Sequence, residues 1–199
     1  MTTQTITASP AVPYMMEEPG AGRVEIFPLP TDEATLFRLL KDLFEGAWDR
    51  IVFGTLIQGA VYEIQLSEPP RRISLLDGYA TVDLGAWHFH VCIGENKGMP
   101  HRPTDPDLAR HRRTHRAELA RMLRPDGTPR SWQVRLFNGK DENQMTVFLP
   151  HPFLEPGEVI TEAPDWSRLD LWDDLRRRYL GLDPDPLDRT GHGNPCGGG

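Results

Sequence analysis

Apolar residues fall into two different periods along this chain, and the switches between them predict its elements. Leu36, Phe37, Leu39, Leu40, Leu43 and Phe44 recur at three- and four-residue spacing, the repeat of a helix that buries one face. Thr31-Asp32-Glu33 supplies a cap with acidic residues in the first turn, and Gly46 ends the helix near Phe44. A short strand over 24–27 precedes it. From Ile51 to Ile93 the pattern shortens to β-prone runs over 51–53, 60–66, 72–76, 79–84 and 87–93, punctuated by Glu68-Pro69-Pro70, Asp77-Gly78 and Gly85. Asp77-Gly78 between two alternating runs predicts a hairpin.

A polar loop over 94–106 leads to a second stretch with helical spacing. Leu108, His111, His115, Leu119 and Met122 share one stripe, which predicts a helix over about 107–123, stopped by Pro125-Asp126-Gly127. Strands over 131–137 and 144–149 flank Asn138-Gly139-Lys140-Asp141, a second hairpin. A third helix spans 166–180, with Asp165 as cap, Leu169, Trp172, Leu175 and Tyr179 on one stripe, and Gly181 after its end. These elements make an α+β fold with a mainly antiparallel sheet and three principal helices. Residues 1–22 and 182–199 show no period and are rich in Pro and Gly, so they are expected to be a flexible arm and a disordered tail around a single globular domain over 23–181.

Composition narrows the partners. No apolar stretch approaches the roughly 20 residues of a membrane helix, the start lacks the basic and apolar regions of a signal peptide, and Cys92 and Cys196 make no disulfide framework. A cytoplasmic protein with reduced thiols is expected. The net charge of -7 argues against nucleic acid, which needs a basic surface. Between His101 and Arg135, nine arginines stand against four acidic residues. That stretch is five positive, and the remainder therefore carries twelve negative charges. Such asymmetry suits a small anionic molecule or an acidic protein partner, with Arg112 and Arg116 as candidate contacts.

The residues with most chemistry lie at 88–92. In an extended strand His88, His90 and Cys92 point one way while Trp87, Phe89, Val91 and Ile93 point the other. Imidazoles two residues apart, roughly 6.5 Å at the backbone, can lean onto one ion, and imidazole and thiolate suit iron, zinc or copper. His111 and His115, one turn apart on the expected helix, could share that ion. If this helix covers the His88 and His90 face, four imidazoles converge. If it covers the Trp87 and Phe89 face, they are separated. Glu95 and His101 in the loop are further candidate ligands, or partners that fix an imidazole tautomer, and His192 and Cys196 are a candidate ligand pair in a tail otherwise expected to be disordered.

The segment Gly85-Ala-Trp-His88-Phe-His90-Val-Cys-Ile-Gly-Glu95 resembles the first cupin motif, in which two histidines and a glutamate bind a metal on a β-barrel. Its Gly85-to-His88 gap is shorter, and the second cupin motif is absent. The order of elements over 88–151 resembles the thioredoxin-like ferredoxins, with Cys92 where a first cluster cysteine would sit and Met145–Pro150 like their final strand. The other cluster cysteines are missing, so a two-iron cluster cannot be assembled. One reading is a small metalloenzyme, with the metal on His88, His90, His111 and His115, Glu95 as acid or base, and Cys92 as ligand or thiolate. The other is a metal- or partner-binding module without catalysis.

Overall fold

In a computed structural model the chain is described over residues 12–57, 59–155 and 159–191. Ten strands carry the architecture: β1 (Tyr14–Glu18), β2 (Gly22–Leu29), β3 (Val52–Gly54), β4 (Ile64–Gln65), β5 (Arg72–Leu76), β6 (Tyr79–Asp83), β7 (His88–Cys92), β8 (Thr114–Leu123), β9 (Pro129–Asn138) and β10 (Asn143–Phe148). Seven of them form an antiparallel sheet in the order β1-β2-β8-β9-β10-β3-β4, and β5-β6-β7 form a smaller antiparallel sheet. Three helices accompany them: α1 (Glu33–Phe44), α2 (Pro106–Arg112) and α3 (Asp170–Leu180). The α+β class with mainly antiparallel pairing is therefore observed. No helix among the described residues is long and apolar enough to cross a membrane.

Helix α1 forms as its spacing predicts. The Asp32 carboxylate accepts from the Thr35 N–H at 2.9 Å, satisfying one of the orphan donors of the first turn. Leu36, Leu39, Leu40, Leu43 and Phe44 are all buried, each worth roughly 1.5–3 kcal/mol of transfer free energy. Helix α3 follows a 3-10 turn over Trp166–Leu169, capped by Asp165, and ends at Gly181 in the left-handed conformation (φ 66°). Both helices, one face of the large sheet and one face of the small sheet enclose a single core that runs from Phe27 through Leu40, Phe53, Val82, Val91 and Leu119 to Trp172.

The expected helix over 107–123 is overturned. Only Pro106–Arg112 is helical, with no buried residue, and Thr114–Leu123 is the central strand β8, paired with both β2 and β9. The reason is two-sided burial. Ala117 and Leu119 enter the main core, whereas Ala120 packs with Val24 and Ile26 on the opposite face. A strand buried on both faces loses the apolar–polar alternation that would mark it, and the residues left over happen to fall at helical intervals.

Both expected floppy ends are also corrected where they are described. Tyr14–Glu18 pairs in full register with β2. The Glu18 carboxylate takes two hydrogen bonds from Arg135 of β9, both 2.8 Å, although three strand spacings, roughly 14 Å when flat, separate their strands. The large sheet therefore curls toward that face. Arg135 also bonds Glu118, which is fully buried and reached by Arg116 as well.

Beyond Gly181, residues 182–191 return to the core through a 3-10 turn over Pro186–Arg189. Asp188 is wholly buried there. One carboxylate oxygen accepts from Arg121 (2.5 Å) and the Trp132 indole (3.0 Å), the other from the Trp172 indole (2.7 Å) and Arg176 (3.5 Å). A proline- and aspartate-rich stretch is thus pinned by one buried anion that four donors require.

Candidate functional site

The small sheet sets out the histidines in rows. Cross-strand register aligns Arg72–Asp83–His88, Ser74–Thr81–His90 and Leu76–Tyr79–Cys92 on one face. The opposite face carries Ile73, Ala80, Val82 and Val91 into the core. Phe89 packs against Phe44 of α1 and Phe53 of β3, at 5.3 and 5.2 Å between ring centroids, and Trp87 stacks on Phe53 at 6.5 Å. The aromatic face is the one that is covered. His88 and His90 are consequently exposed, with ring centroids 4.9 Å apart and ring planes at 69°. Thr81 Oγ1 and His90 Nδ1 share a 2.7 Å hydrogen bond, and Asp83 accepts from the Gly85 N–H at 2.9 Å where the β6–β7 turn begins.

Cys92 closes its row differently. Its side chain is only 4% exposed, the thiol donates to the Gly94 carbonyl at 3.6 Å, and burial pushes its pKa up, against the lowering effects of Tyr79 and Arg112 nearby. Burial therefore favours its neutral thiol, whereas a role as ligand or thiolate needs the ionised form. The Cys92 carbonyl instead takes hydrogen bonds from Thr114 Oγ1 (3.0 Å) and Gln144 Nε2 (3.4 Å), which joins the small sheet to the large one.

The remaining predicted residues lie apart from the imidazole pair. His111 ends α2 and donates from Nε2 to Glu142 at 2.8 Å; that bond, after the one from Asn138, holds the Glu142 carboxyl below its usual range. His115 is exposed at the bulge where β8 begins. Glu95 is exposed, 3.6 Å from Lys97. Arg112 donates to the Asn96 side chain at 3.0 Å, inside a loop network that also holds the Asp77 carboxylate with the Lys97 and Gly98 N–H groups. Arg116 bonds Asp141 and Glu118 and lies 3.5 Å over the Phe137 ring. Among the described residues no group of three or more His, Cys, Asp or Glu side chains could hold a metal ion, so the four imidazoles do not converge. His192 and Cys196 lie outside the described residues.

Sequence reasoning missed Thr81. The Asp77-Gly78 hairpin sets Thr81 opposite Ser74, whereas its place opposite His90 is fixed by the β6–β7 turn around Gly85, where the Leu84 N–H donates to the Trp87 carbonyl at 3.0 Å.

A family model described as a family of unknown function, DUF7676, matches residues 13–181. The chain belongs to the DUF7676 family. The match begins one residue before β1, so the strand expected to be a loose arm lies within the family's extent. No curated protein matches the DUF7676 chain. Among solved structures it is similar to one titled "Crystal structure of ChuX", at 12% identity and a TM-score of 0.45, over 75% of this chain and 74% of that one.

Proposed function

We propose that this DUF7676 protein is a binding module that holds a transition-metal ion, of the iron, zinc or copper type, through His88 and His90. The observation that carries this reading is the pair of exposed imidazoles 4.9 Å apart on a rigid strand whose other face is anchored in the core. Thr81 supports it. In the tautomer in which His90 Nδ1–H donates to Thr81 Oγ1, the Nε2 lone pair is turned outward, as a metal ligand requires. The non-catalytic version is favoured over a metalloenzyme because the proposed acid or base, Glu95, is a solvated side chain beside Lys97, and Cys92 is a buried thiol with a raised pKa.

Untagged protein titrated with Zn²⁺, Cu²⁺ and Fe²⁺ in a calorimeter tests this. The reading expects saturable binding, a loss of at least about tenfold in affinity for His88→Ala or His90→Ala, and a loss of about tenfold for Thr81→Val, the lower end of the range for a residue that orients a ligand. Affinities of the His88→Ala and His90→Ala variants equal to that of the wild type would sink it.

A further inference from the structure

We infer that the ion held by His88 and His90 is completed by the same two histidines of a second copy of this chain, giving one four-imidazole site on a two-fold axis and making assembly metal-dependent. This inference rests on the preceding reading of the two histidines as ligands.

Two donors are half of a set. Zinc held structurally takes four protein ligands in a tetrahedron, and no third His, Cys, Asp or Glu completes the set within one chain among the described residues. The missing donors have to come from outside. The pair also projects from an open surface: on this face Arg72, Ser74, Thr81, Asp83, His88 and His90 are all exposed or half-buried, and burial begins only at Cys92, at the far end of its strand. Among the described residues both rings are exposed, so a flat partner can approach them.

A second copy suits that face. In a two-fold dimer the same patch meets itself, so each chain supplies the same two imidazoles and the total is four. An axis running across the strands, between the His88 and His90 rows, sets Arg72–Asp83–His88 of one chain against Ser74–Thr81–His90 of the other. Asp83 then faces Thr81, and Arg72 faces Ser74. No like charges meet in that register, and the pairing leaves each charged residue opposite a hydroxyl. Leu76, 79% exposed at the end of the same face, adds apolar area beside the site. The net charge of -7 on each chain disfavours contact in the absence of metal, and a bound dication lowers that repulsion where the faces meet. The physical outcome is a switch: monomers without metal, dimers with it.

The test is sedimentation velocity and light scattering on the untagged full-length chain, at micromolar concentration, with zero to two equivalents of Zn²⁺. The expected result is a rise in mass from 22.6 kDa to about twice that value, complete at half an equivalent of metal and reversed by chelator. His88→Ala and His90→Ala should each stay monomeric at all metal levels, with unchanged circular dichroism because both side chains are exposed. One-to-one binding with the mass unchanged overturns the inference while leaving the ligand reading intact. No binding at all overturns both. A dimer that forms without metal, or that persists in the alanine variants, overturns the inference and assigns the contact to another face.

Discussion

Asp188→Ala should be the most damaging single substitution in the part of the chain beyond the family match. The wild-type carboxylate is 0% exposed and serves Arg121, Trp132, Trp172 and Arg176. Removing it does not leave the guanidiniums alone. Arg121 keeps Glu25 (2.6 Å) and Asp185 (3.0 Å), and Arg176 keeps Asp185 at 3.7 Å. The two indole N–H groups lose the acceptor they share, at about 1–3 kcal/mol each for a buried donor left unsatisfied. Breaking a buried ion pair costs about 3–5 kcal/mol when a charge is stranded, and the surviving carboxylates recover part of that. A net loss of about 4 kcal/mol follows. For a chain of this size it corresponds to roughly 8–16 °C in Tm, at about 2–4 °C per kcal/mol, and it is a large part of an ordinary stability of about 5–15 kcal/mol. Urea unfolding followed by tryptophan fluorescence should show the midpoint fall with the slope unchanged, and a deletion of residues 183–199 should do at least as much harm. A loss below about 1 kcal/mol for Asp188→Ala would refute this account of the tail.

His151 should make the fold acid-sensitive: its Nε2 donates to the Arg130 carbonyl and its Nδ1 accepts from the Phe153 N–H, which fixes the neutral ring, and burial, with the Arg124 and Arg168 charges, lowers its pKa to about 4. The unfolded ring titrates near 6.5, so stability is complete above that pH and falls by about 1.4 kcal/mol per unit down to pH 4; His151→Gln should flatten the profile, and an identical slope in both proteins would count against the assignment. Glu18→Ala removes the two-pronged anchor on Arg135 while Glu118 still pairs with that arginine, so a loss of about 1–3 kcal/mol is expected, together with faster amide exchange across β1; exchange unchanged over 14–18 would show that the backbone ladder alone holds the strand.

Local signals determined a good deal of this protein. Asp32 and the 3.6-residue repeat after it specify α1, Asp165 and Gly181 bracket the 3-10 turn and α3, and Asp77-Gly78 ties β5 to β6. Each needs only neighbours in the chain. Strand alternation likewise put His88 and His90 on one side and Phe89 and Val91 on the other. Which side met solvent was a tertiary matter, decided when Phe44 and Phe53 covered Phe89, because burying aromatic area outweighs burying imidazoles without partners. The same holds for β8, where packing on both faces erased the period that marks a strand, and for Asp188, whose solvent-loving neighbours conceal a carboxylate that two tryptophans and two arginines, between 12 and 67 residues away, draw into the core. A partner that distant leaves no local trace, and only the folded chain brings it into reach.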